Sequence, residues 1–218
     1  MSGSAAKTEF YSPVEERVNV ATHFLGLVLS VAAAVAMVAM ALRSGSAEHA
    51  LIVGVFGATL VLAYASSTLY HRSRSPEKRR RLRVLDHAAI YALIAGTYTP
   101  FTLITLRGPD GWTIFTVCWG IAVAGAAMKL FFTGRFNALS TALYVAMGWI
   151  IVLDIRNLVA NLSLPGFLWL LAGGLFYTAG AAIYATAKIR FNHAIFHVLT
   201  LAGSACHVVS VMFYVIPR

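Results

Sequence analysis

Seven long apolar runs, separated by short polar stretches, organise this chain. They lie at about Val20–Leu42, Ala50–Tyr70, Ala88–Leu106, Trp112–Met128, Ala138–Leu153, Leu164–Ala187 and Ala194–Ile216. A helix needs roughly 20 apolar residues to cross the hydrocarbon of a bilayer. Lipid offers an open backbone no hydrogen-bond partner, so each run predicts a spanning helix. A β-barrel would alternate in segments of about ten residues, whereas these runs are continuous. The predicted fold class is an all-α membrane protein, a seven-transmembrane helix bundle. It forms a single domain over 1–218, with a short segment, 1–18, ahead of the first span. The fourth and fifth runs are short, so their ends are the least defined.

Composition agrees with the pattern. Of 218 residues, 59% are hydrophobic and 11% charged, against about 25% charged in soluble domains. Such a chain cannot clothe itself in water, which excludes a basic soluble nucleic-acid binder despite its net charge of +9. The charge instead orients the bundle. Seven of the twelve residues 72–83 are basic, and they fall between the second and third runs. Positive loops stay cytoplasmic, which puts the N-terminus inside and the C-terminus outside. Thirteen of the seventeen Lys and Arg then lie on the inner side, counting Lys129 and Arg135 in one loop and Lys188 and Arg190 in another. Lys7 and Arg17 stand among Glu9, Glu15 and Glu16, so the first run lacks the positive flank of a signal peptide.

Ionisable groups inside an apolar bundle mark function by default. His71 ends the second run, Asp86 opens the third, and His193 and His197 open the seventh, all from the cytoplasmic side. His193 and His197 stand four residues apart, on one helical face. With His71 they make three imidazole ligands, the number that leaves a catalytic zinc site open to water. Imidazole also suits copper, iron and nickel. The alternative is separate helix-end histidines facing water or headgroups. Asp86 reads as a fourth ligand, as an acceptor beside a metal-bound water that serves as general base, or as the N-cap of the third span. Ser67 shares the face of His71, where its hydroxyl orients that water or a substrate carbonyl, or bonds back to its own helix.

Other polar positions are less distinctive. Glu16, Asn19 and His23 fall near one face and either extend a polar interior or cap the first span. His207 lies about 21 Å beyond His193 along a straight helix, too far to share its metal ion, and reads as a buried hydrogen-bonding histidine or part of a polar cavity. His87 reads as structural and His49 as solvated in an outer loop. Pro100 kinks the third span or frees a carbonyl into a cavity. Cys118 and Cys206 read as packing residues.

Several of these residues fall in segments that resemble the bacterial hemolysin III proteins, which are similar to the progestin and adiponectin receptors. The likeness runs from Tyr11-Ser-Pro-Val-Glu-Glu to Tyr214. It is carried by Ser67-Thr-Leu-Tyr-His71, Leu85-Asp86-His87-Ala-Ala-Ile-Tyr91, Ala95-Gly-Thr-Tyr-Thr-Pro-Phe101, His193-Ala-Ile-Phe-His197 and Cys206-His207. The resemblance implies a seven-helix fold with the N-terminus inside. It also implies zinc on His71, His193 and His197, with Ser67 and Asp86 near the zinc-bound water. The long cytoplasmic N-terminal region of the animal receptors has no counterpart here, which argues against an adiponectin-like ligand. The wider superfamily includes alkaline ceramidases and other membrane hydrolases. The expected function is therefore zinc-dependent hydrolysis of a lipid amide or ester in a bacterial plasma membrane, with membrane lipids as partners, a fatty-acyl ligand in the bundle and no nucleic acid. A membrane sensor with structural zinc is the alternative. A pore or transporter ranks last, because no inverted repeat is visible.

Overall fold

The computed structural model describes residues 11–132, 137–186 and 189–216. The described residues are helical, with no strand among them. Seven helical segments are long and apolar enough to cross a membrane. Lys7, Glu9, Arg135, Lys188, Arg218 and the expected end of the sixth run at Ala187 lie outside the described residues.

Helix α1 spans Pro13–Arg43, α2 spans Ala47–Arg72 and α3 spans Pro76–Pro100. Ser12 caps α1 by accepting from the Glu15 amide, with Pro13 in the first turn and Glu15 and Glu16 beside the positive helix end. Ser46 caps α2 in the same way through the His49 amide. That cap corrects the reading of His49, which is buried in the first turn of α2 and not solvated in a loop.

The basic stretch 72–83 is corrected too. Only residues 73–75 connect α2 to α3, because Pro76 starts the next helix and Lys and Arg propagate it well. Arg79 and Arg83 are consequently buried helical residues. Asp86 stands ten residues beyond Pro76, so it is not the N-cap of the span; Ser75 occupies that position.

Helix α3 runs into a π-helical segment, Phe101–Leu106. Pro100 cannot donate its backbone bond, and the wider winding closes on the amide of Arg107, which bonds to Thr102 O at 3.0 Å. Arg107 and Gly108 both take positive φ, 51° and 61°, to turn the chain into α4, Gly108–Phe132. Lys129 therefore lies inside a helix, not in a loop, and is buried.

The fifth span is broken. Helix α5, Asn137–Gly148, gives way to a 3-10 turn, Ile150–Asp154, and then to α6, Ile155–Asn161. Backbone groups freed inside a membrane need partners, and Tyr98 supplies them. Its hydroxyl donates to Gly148 O at 2.9 Å and accepts from the Ile151 amide at 3.0 Å. Helix α7 spans Leu164–Ala185, and α8 spans Asn192–Ser210 before a second π-helical segment, Val211–Val215.

Helix α1 packs on both α2 and α8, α2 on α3, α3 on α4, and α7 on α8. Phe24, Leu25, Val28 and Leu29 of α1 face outward, while Asn19, His23, Gly26 and Ser30 face inward. Small and polar residues inside and large apolar ones outside is the arrangement lipid favours, since tails solvate Leu as well as a core does. Gly96 lets α3 approach α2: a Cβ there would stand 2.0 Å from Thr59 Oγ1. Gly96→Ala should lower the thermal midpoint through overpacking of about 1–3 kcal/mol. Thermal denaturation of the purified protein checks this, and an unchanged midpoint contradicts the close approach.

Candidate metal centre

His71 sits in the last turn of α2, and His193 and His197 in the first turns of α8. All three are buried. Their Nε2 atoms converge: His193 Nε2 lies 3.0 Å from His71 Nε2 and 3.0 Å from His197 Nε2. One ligand atom from each ring falls within 4.8 Å of the others. The separate helix-end reading is thereby excluded for this trio.

The opposite ring nitrogens all meet the start of the chain. His71 Nδ1 is 2.8 Å from Glu16 Oε2, with the Asn19 amide 3.5 Å from the same atom. His193 Nδ1 is 3.1 Å from the Tyr11 hydroxyl, and that ring also stacks on Tyr11 at 4.5 Å. His197 Nδ1 lies 3.5 Å from Thr22 Oγ1, whose own proton goes to Val18 O at 2.8 Å. A carboxylate can only accept, and a hydroxyl already donating accepts from elsewhere. Glu16 and Thr22 therefore favour the Nδ1–H tautomer of His71 and His197, which turns a bare Nε2 lone pair inward.

This arrangement fits a metal ion. Two bonds of about 2.0–2.1 Å at a tetrahedral angle would separate two nitrogens by about 3.3 Å, close to the observed 3.0 Å spacings. Lone pairs this close repel unless a cation or a proton lies between them. Outer partners of the Glu16 kind fix the rings of metal-bound histidines.

Arg79 holds the frame. Its guanidinium pairs with Glu16 and donates to the carbonyls of Tyr70, His71 and Ser73 at 3.2, 3.4 and 3.3 Å. These carbonyls belong to the C-terminal end of α2, where a cation is favoured. A single side chain thus ties the His71 turn to the Glu16 that orients its ring.

Ser67 and Asp86 both line a cavity of about 160 Å³ that reaches His193 and His197. The buried Ser67 Oγ faces the Asp86 carboxylate and makes no bond back to its own helix. His23 lines the same cavity, stacked on His197 at 3.4 Å. His207 lines its far end, with Nε2 bonded to Leu170 O at 3.1 Å, in agreement with the reading of a buried, hydrogen-bonded histidine. His87 also lines the cavity but does not join the trio.

Sequence reasoning missed Tyr11, Thr22 and Arg79. Thr22 stands three residues after Asn19, a face relation that could have been read. Arg79 was hidden among equally basic neighbours, and nothing in the residue string separated it from them.

Known proteins resemble this chain over most of its length. A family model described as "Haemolysin-III related" matches residues 11–208. The chain is 45% identical to Hemolysin-3 of Bacillus cereus over 93% of each chain. It is 42% identical to a hemolysin-3 homolog of Bacillus subtilis, over 92% of this chain and 94% of that one. A more distant likeness, 24% over 73% of this chain and 68% of the other, is to the human monocyte to macrophage differentiation factor. The match begins at Tyr11 and takes in the three histidines and every outer partner described above, and the chain belongs to the haemolysin-III family.

Proposed function

We propose that this protein is a zinc-dependent hydrolase of lipid amides or esters in the plasma membrane of a bacterium, oriented with its N-terminus and histidine centre at the cytoplasmic face. The observation that carries the reading is the convergence of three Nε2 atoms at one end of a cavity that also holds Ser67 and Asp86. The basic residues crowded at that end support the orientation, among them Arg72, Arg74, Lys78, Arg80 and Arg81.

His71, His193 and His197 would hold the ion, and three nitrogen ligands favour zinc over harder cations. Bound there, zinc supplies Lewis acidity and makes water nucleophilic at neutral pH. Asp86 takes up a proton during attack and returns it to the departing amine or alcohol. The Ser67 hydroxyl, beside the Asp86 carboxylate, would turn its proton to the substrate carbonyl oxygen, where negative charge grows. Glu16, Tyr11 and Thr22 keep the imidazoles oriented. Ile90, Leu93 and Ile94 give the cavity an apolar wall suited to an acyl chain.

The test is fatty-acid release from lipid amides and esters by the purified full chain with zinc. Asp86→Asn should lower the rate by about 10²–10⁴-fold, the usual worth of a general acid or base, with zinc content unchanged. Release that is absent from the wild type, or equal in Asp86→Asn, overturns the hydrolase reading.

A further inference from the structure

The hydrolytic reading leaves Lys129 without a task. Lys129 lies in a segment apolar enough to cross the membrane and is only 1% exposed. Its Nζ donates to Ser140 Oγ at 2.5 Å, which joins α4 to α5. Both residues line the cavity that reaches the metal centre. Among the described lining side chains, with histidines neutral, Asp86 and Lys129 carry the formal charges.

Asp86 lies beside Ser67, at the metal end, within reach of Arg83 and Arg79. Lys129 also feels Arg83, a buried cation on α3. Lys129 and Ser140 thus set an ammonium and a hydroxyl in the α4–α5 wall of the cavity. An ammonium in a low-dielectric wall is costly, and an anion brought against it recovers much of that cost. Ionisable groups inside membrane segments mark the paths of charged ligands.

We propose that Lys129 and Ser140 form an anion subsite, which receives the phosphate or carboxylate of a lipid headgroup while part of an acyl chain enters the cavity. The preferred lipids are then anionic, not zwitterionic. Calling such a lipid a substrate rests on the hydrolytic reading; its charge preference does not.

The experiment is native mass spectrometry of the full chain in detergent, offered equal amounts of phosphatidylglycerol and phosphatidylcholine. Wild type and Lys129→Arg should retain phosphatidylglycerol in roughly tenfold preference, the equivalent of one charge-assisted hydrogen bond. Lys129→Met should bring the preference close to one. If Lys129→Met does not fold, as judged by helical circular dichroism, Lys129→Gln is read in the same way. A wild type without preference, or a folded Lys129→Met or Lys129→Gln that keeps it, overturns the proposal. Displacement of phosphatidylglycerol by inorganic phosphate also overturns it, since the subsite would then read a free anion. A preference that survives in a protein without hydrolytic activity removes the hydrolase reading alone.

Discussion

Replacing His193 with Ala should leave the purified protein unable to retain a metal ion, and lipid hydrolysis should fall to background. His193 is the central member of the trio, since its Nε2 stands 3.0 Å from both of the others. Its loss removes one ligand and separates the two that remain. Removing an outer partner of a metal-bound histidine costs about 10–100-fold in affinity, so loss of the ligand itself should exceed that range. Metal analysis after dialysis against a weak chelator provides the measurement. Stoichiometric metal in His193→Ala would sink the centre. The His87→Gln variant is the control, because His87 lies outside the trio and should leave metal content intact.

The largest effect on stability is expected at Arg79. Arg79→Met leaves the Glu16 carboxylate without its guanidinium and strips a donor from three carbonyls at the end of α2. Removing one partner of a buried ion pair costs about 3–5 kcal/mol, and this pair, with Glu16 partly exposed, falls at the low end. For a chain of this size each kcal/mol shifts the thermal midpoint by about 2–4 °C, so a fall of roughly 10 °C is expected. A double-mutant cycle with Glu16→Gln separates the two parts of the loss. The ion pair predicts strong coupling between the two changes. If the effects simply add, Arg79 acts through the carbonyls alone.

The sequence made the spans legible because lipid imposes one rule, length and apolarity, on every helix alike. It also placed His71, Asp86, His193 and His197 at one depth, since helix rise and loop charge set depth without tertiary detail. It failed where the helices continued past their apolar windows. Lys129 and Arg79 looked like loop cations because charge there is solvated by default; the fold buries both against polar partners. The role of Glu16 was unreadable for a different reason. Its partners lie 55 and 63 residues away, and only the packing of α1 on its neighbours brings them together. The broken fifth span was equally hidden, because its repair comes from the Tyr98 hydroxyl on another helix.

The candidate centre would draw its ligands from the second and the last spanning helices, and their outer partners from the first helix and the residues just before it. His71 and His193 are 122 residues apart. At a synthesis rate of about 5–20 residues per second, roughly 6–24 s pass between their appearance on the ribosome. No partial product holds the full set of nitrogens, so high-affinity capture of an ion would coincide with insertion of the final helix. Metal content thus reports on completed biogenesis: a chain stalled or truncated before α8 should come out of the membrane empty, even with α1 to α7 in place.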